Sequence, residues 1–175
     1  MQPPSALAAR GDGGAATEKA ERMFLRLGSG AASWFLASHP GPKDEVARGT
    51  APLAPSATDL ASIVHIDAQG ATSADNVNGA KLRILLYSTT ARTMHVDARL
   101  YLDGAEVGAG DDDVFLYPEV PELRDGWSQS VIVFPLPTTR GHVSNAHVTI
   151  ALSMPPGADY AVATDGDSAL SLLEA

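Results

Sequence analysis

The chain of 175 residues contains no cysteine, which excludes disulfides, thiolate metal sites and cysteine nucleophiles and leaves the redox compartment open. Basic residues are scarce: twelve Lys and Arg stand against twenty-one Asp and Glu, for a net charge of -9. With no basic cluster along the sequence, a phosphate backbone finds nothing to hold it, and nucleic acid is not an expected partner. No apolar run is long enough to cross a bilayer as a helix, so no membrane partner is expected either. The opening residues MQPPSALAARGDGG have neither a basic n-region nor an apolar core, and no secretory leader is expected. Catalytic signatures are missing as well. There is no G-x-S-x-G elbow, no Walker A loop and no H-E-x-x-H, and the expectation is a non-enzymatic chain without a cofactor.

What is present is alternation. In the run from Lys81 to Ala109, Leu82, Ile84 and Leu86 alternate with Lys81, Arg83 and Tyr87. Met94, Val96, Ala98, Leu100 and Leu102 then alternate with Thr93, His95, Asp97, Arg99 and Tyr101. A period of two means strands with one apolar face. Asp103-Gly104 between two such runs predicts a two-residue type I′ hairpin, which sets Leu102 opposite Ala105, Tyr101 opposite Glu106 and Leu100 opposite Val107.

Further strands are predicted near SIVHIDA, with Val64 and Ile66 inward, and over 114–117, 128–136, 146–154 and 160–164, with a turn-rich stretch over 69–79. Pro135 and Pro137 remove amide donors, which puts the end of their strand at a sheet edge or at its termination. Seven or eight strands in about 105 residues is the count of an immunoglobulin-like or jelly-roll fold. The predicted fold class is therefore mainly β, an antiparallel β-sandwich with an N-terminal extended arm and one short helix.

Three segments follow from this reading. Residues 1–55 form an arm, 56–166 the β-sandwich domain and 167–175 a C-terminal helical turn. Within the arm, Ala20, Met23, Phe24 and Leu27 fall at i, i+3, i+4 and i+7, which predicts a helix over 17–27 capped by Thr17 and ended by Gly28. Trp34 and Phe35 follow, and a Pro/Gly-rich connection runs over 40–55. The side chains of Met23, Phe24, Leu27, Trp34 and Phe35 are the candidate arm contacts, since apolar groups of this size must be buried on something. Arg10-Gly11-Asp12 spells an integrin-type tripeptide, a match that occurs often by chance.

Candidate sites are few. His65 with Asp67 and His95 with Asp97 stand at i, i+2, the spacing of a two-ligand clamp on one strand face that His142 and His147 can complete. Arg83 and Arg99 share the polar face and oppose a cation. A five-residue loop over 88–92 would set Arg83 opposite Asp97 as a cross-strand pair. Asp111, Asp112 and Asp113 offer oxygens of the kind Ca²⁺ takes if Glu119, Glu122, Asp125 or Asp165 joins them, and otherwise form an acidic turn. Tyr87, Tyr101 and Trp127 form a candidate ligand or partner surface, because planar rings on a sandwich face stack on sugars.

Two functions fit these residues. The first is a structural or assembly protein: a β-sandwich subunit of a virion coat, decoration or tail-associated component, or of an extracellular particle, using the arm to contact other protein subunits in an oligomer or larger assembly. The alternative is a carbohydrate-binding or other ligand-binding module. The N-terminal third separates them, according to whether it leaves the sandwich or folds back on it.

Overall fold

The computed structural model describes residues 19–28, 33–53, 61–117 and 127–175. Within them nine strands form one antiparallel hydrogen-bonded sheet: β1 Lys19–Leu27, β2 Trp34–Ala37, β3 Val46–Thr50, β4 Ser62–Tyr87, β5 Thr93–Leu102, β6 Ala105–Phe115, β7 Ser128–Met154, β8 Asp159–Ala163 and β9 Ala169–Glu174. The order across the sheet is β2-β1-β9-β4-β7-β5-β6, with β8 joining β3 to the end of β4.

The sheet is a sandwich because β4 and β7, the two longest strands, pair with each other through both layers. Ser62 to Ala71 of β4 pair with Asn145 to Met154 of β7, and Gly79 to Leu86 pair with Ser128 to Pro135, with register shifts between Ala71 and Ala74 and between Val77 and Gly79. The first layer is thus β6-β5-β7-β4, and the second is β2-β1-β9-β4-β7 built on the opposite halves of the long pair. β6 ladders only with β5, yet a Cβ on Gly110 would lie 2.6 Å from Ile132 Cγ2 and one on Gly108 3.1 Å from Phe134 Cδ1. The glycines let β6 lie directly on the first half of β7, and the inner faces meet there.

The predicted alternation supplies the core. Ile66, Leu82, Ile84 and Leu86 of β4 are buried with Met94, Val96, Leu100 and Leu102 of β5 and Val148, Ile150 and Leu152 of β7. Val64, expected inward, is only partly buried and packs at the margin of this core. The hairpin turn forms as expected: Asp103 and Gly104 have φ of 49° and 86°, the type I′ pattern. Tyr101 faces Glu106 and Leu102 faces Ala105, but a register shift between Leu100 and Tyr101 sets Leu100 opposite Gly108 rather than Val107. Pro135 pairs with Gly79 and β7 runs on through Pro137 to Met154, so the prolines do not end the strand; this half of β7 ladders only with β4 and is the edge of the second layer, where proline is tolerated.

Both helical expectations are overturned. Residues 19–27 are a strand, in which Met23 and Leu25 point into the core while Phe24 and Arg26 point out. A nine-residue segment satisfies either period, and the hydrogen bonds offered by β9 and β2 on its two sides outweigh a helix too short to be stable alone. The 167–175 turn is likewise strand β9, with Leu170 and Leu172 inward. The described part of the arm is therefore integral to the sandwich. β1 and β2 extend the second layer, and the Pro/Gly-rich connection contributes β3, paired with β8. The turn-rich 69–79 stretch is the irregular middle of β4, where Asn76 takes φ of 53°. The Arg10-Gly11-Asp12 tripeptide and the cap Thr17 lie outside the described residues.

Candidate functional site

The outer face of the first layer carries most of the polar side chains singled out in the sequence. The ladders align it in four rows. From β4 to β6 they are Ile63, Ser153, His95 and Asp113; His65, Ala151, Asp97 and Asp111; Asp67, Thr149, Arg99 and Ala109; and Gln69, His147, Tyr101 and Glu106. Ala151 and Ala109 are the small residues of this face. Beside them lie two shallow depressions, one of 410 Å³ lined by His65, Asp67, Asp97, Arg99 and Thr149, and one of 530 Å³ lined by Asp97, Arg99, Ala109 and Asp111.

His95 anchors one end. Its Nδ1 lies 2.6 Å from Asp113 Oδ1, and its Nε2 lies 3.3 Å from Asp97 Oδ2 and 3.6 Å from Asp111 Oδ2. The hydrogen bond to Asp113 and the surrounding carboxylate charges raise its pKa above 6.5 against a partial desolvation. His95, Asp97 and Asp111 are also the described residues whose donor atoms converge within 4.8 Å, close enough to share a cation. The i, i+2 clamp is drawn differently from the expectation. His147 binds Asp67 at 2.6 Å and His142 binds Asp75 at 2.7 Å, so three histidines each hold their own carboxylate and do not converge.

The acidic triplet lies within strand β6, not in a turn, and the pleat divides it. Asp111 and Asp113 face His95, whereas Asp112 points to the other side and accepts from Ser130 Oγ at 3.0 Å. Glu119, Glu122 and Asp125, which were to complete a calcium loop, lie outside the described residues, and Asp165 sits elsewhere, accepting from the Asp44 amide at 2.8 Å. Arg83 is not opposite Asp97. It faces Val131 and Ala169 in the second layer, and Asp97 faces Asp111 and Ala151.

The three aromatic candidates separate. Tyr87 is not outward but 3% exposed, stacked on Trp127 with ring centroids 5.5 Å apart, where β8 pairs with the end of β4. Tyr101 stays on the outer face, half-buried, its ring stacked on His147 at 5.1 Å. The arm candidates divide too: Met23 is buried in the core, Trp34 packs against it, and Phe24, Leu27 and Phe35 are half-buried. Arg22 lies over Phe24 and Arg26 over Phe35 on the second layer's outer face.

One assembly of side chains was not legible in sequence. Arg22 of β1, Ser171 of β9 and Lys81 of β4 form one row of the second layer's outer face, and Phe24, Ala169 and Arg83 the next. Strand pairing alone brings these cations together, since position 22 is remote from positions 81 and 83.

No protein-family model matches this sequence, and no curated protein matches it. Solved structures are similar at low identity. A CocE/NonD family hydrolase from Staphylococcus aureus shares 11% identity at a TM-score of 0.44, over 90% of this chain and 37% of the hydrolase, so the chain spans little more than a third of that protein. A carbohydrate-binding module in complex with beta-1,4-galactotriose shares 5% at 0.35, over 71% of this chain and 86% of the module. VP2 in an infectious bursal disease virus subviral particle shares 13% at 0.35, over 86% of this chain and 41% of VP2. Likeness at this level assigns no activity, ligand or assembly.

Proposed function

We propose that the chain is a non-enzymatic ligand-binding β-sandwich module whose ligand is a carbohydrate held on the outer face of β4, β7, β5 and β6. The observation that carries this reading is the half-buried Tyr101 ring, braced by His147 and Asp67, in the row next to Arg99 and Thr149, which line the 410 Å³ depression. A fixed ring offers a sugar an apolar stacking surface, and carboxylate, guanidinium and hydroxyl groups around it can pair with ring hydroxyls. The folding-back of β1, β2 and β3 into the sheet supports it further, because the described part of the N-terminal third is used in cis.

Binding of neutral oligosaccharides, measured by glycan array and then by calorimetry, tests the reading. Tyr101→Ala weakens binding about tenfold, the upper end of a stacking contribution, Arg99→Ala weakens it further, and Trp127→Ala leaves it unchanged. Binding indifferent to Tyr101 and Arg99 overturns it.

A second reading, a subunit of a larger particle such as a virion coat, decoration or tail component, draws support from exposed apolar groups. Phe115 and Tyr117 are 56% and 54% exposed and form an edge-to-face pair 5.2 Å apart at the end of β6. Exposed ring pairs are the usual anchors of subunit contacts. A native mass above the monomer that falls on Phe115→Ser and Tyr117→Ser favours this reading, and a monomer at all concentrations removes it.

A further inference from the structure

The outer face of the second layer is charged oppositely to that of the first. Arg22, Ser171, Lys81 and Val133 make one row across β1, β9, β4 and β7, and Phe24, Ala169, Arg83 and Val131 the next. Neither row contains a carboxylate, in a chain whose net charge is -9. Among the described residues no ion pair neutralises Arg22, Lys81 or Arg83; the nearby Arg26 has Glu45 at 3.7 Å. All three cations line a depression of 180 Å³ with Ala169 and Ser171 between them, and Asp167 is the carboxylate on its wall.

Like charges gathered on one face, two on β4 and one across β9 on β1, repel one another. Nothing in the core requires them here, since all three side chains are exposed. An arrangement of two guanidinium groups and one ammonium around a small hydroxyl-bearing floor is complementary to a compact oxyanion. Guanidinium binds such a group through paired N–H donors, the ammonium as a point charge, and the Ser171 hydroxyl can donate from below.

We infer that this face is an oxyanion site, taking a sulfate, phosphate or carboxylate group carried on a ligand. It is separate from the carbohydrate surface proposed above, on the opposite side of the sandwich, and stands whether or not that surface binds sugar. The valines and Phe24 beside the cations suit an oxyanion borne on a ring over one free in water, and the carboxylate of a uronic acid is the source that fits both features.

The test is an NMR titration of the full chain at constant ionic strength with inorganic sulfate, inorganic phosphate, galacturonate and galactose in separate arms. Saturable amide shifts at Ser171 and Arg83 are expected with the three anions and not with galactose, and tighter with galacturonate than with sulfate. Lys81→Gln and Arg83→Gln each weaken binding about tenfold, as the loss of a charge-assisted contact does. Asp167→Asn strengthens it, and Arg48→Gln, on β3, leaves it unchanged. Tighter binding of sulfate or phosphate than of galacturonate overturns the uronic acid source. Shifts that Lys81→Gln and Arg83→Gln leave in place, or that Arg48→Gln weakens equally, overturn the site. Tyr101→Ala affects only the other face, so failure of one proposal is read separately from failure of the other.

Discussion

His95 and Asp113 stand directly opposite each other on β5 and β6, with the imidazole Nδ1 2.6 Å from the carboxylate Oδ1. That hydrogen bond, with the charges of Asp97 and Asp111, holds the His95 pKa above 6.5. A raised folded-state pKa means that the imidazolium contributes stability at pH below the unfolded value. The contribution is lost as pH rises through the folded value. The His95 ring resonances are therefore expected to titrate with a midpoint above 6.5, moving down in Asp113→Asn. The stability gap between wild type and Asp113→Asn is larger near about pH 5 than near about pH 9. A wild-type midpoint at or below 6.5 contradicts the pairing.

Asp103 does two things at the hairpin turn. It adopts positive φ, and its Oδ1 accepts from the Ser144 amide at 3.0 Å, the Ser144 hydroxyl at 3.1 Å and the Asn145 amide at 2.9 Å. These bonds tie the β5-β6 hairpin to β7, and led by the Ser144 amide they lower the carboxyl pKa below 3.8. Asp103→Ala is expected to lose about 1 kcal/mol of stability at neutral pH. Because a depressed pKa stabilises above the unfolded value and is lost as pH falls through the folded one, the deficit shrinks in acid. Urea titrations at two pH values measure it, and a pH-independent deficit counts against the carboxylate's role.

Gly110 brings β6 close against β7, with which it forms no ladder. A Cβ there meets Ile132 Cγ2 at 2.6 Å, and a β-branched neighbour on a buried strand has no rotamer to escape to. Gly110→Ala is expected to cost about 1–3 kcal/mol, the range for overpacking. Gly104→Ala, where nothing lies within 4 Å, loses stability only through its positive φ. Equal stability of Gly110→Ala and wild type would mean that the two layers do not meet there.

Leu25 distinguishes an arm from a structural strand. It is fully buried in the core on β1, between β9 and β2. Leu25→Ala is expected to cost about 2–5 kcal/mol, or roughly 2–4 °C of melting temperature for each kcal/mol in a chain of this size. An appendage predicts no change, so thermal melts of this one variant decide the matter.

The strand β5 and the second half of β7 were legible because each has one buried and one wet face, so that burial writes period two directly into the sequence, whereas β6 was expected in two pieces because its 108–113 stretch carries no apolar alternation. The Asp103-Gly104 turn carried its own register, and only the irregularity after Leu100 escaped, since nothing in Val107 or Gly108 announces an extra residue. β1 and β9 were misread for a common reason. Met23, Phe24 and Leu27 fit a helical stripe and Met23 with Leu25 fits a pleat, and only partners remote in sequence choose between them. The same remoteness hid the Arg22, Lys81 and Arg83 cluster, which no scan for basic runs can find. Tyr87 was placed outward by correct parity and is buried, its ring stacked on Trp127, a partner remote in sequence. On the first layer's face, by contrast, His95, Asp97, Arg99 and Tyr101 share a side by alternation alone, and the structure kept them together.

The passage of β4 and β7 through both layers has a consequence for how the chain comes apart. The two leaves share their central pair of strands, so there is no seam along which one could melt while the other stood, and a partly folded species would have to tear a continuous ribbon. Ser62 meets Met154, and Lys19 meets Glu174 across almost the whole length of the described chain, which makes assembly depend on distant encounters and correspondingly slow. A nick in the irregular middle of β4 would therefore leave β7 as the one long strand still joining the leaves.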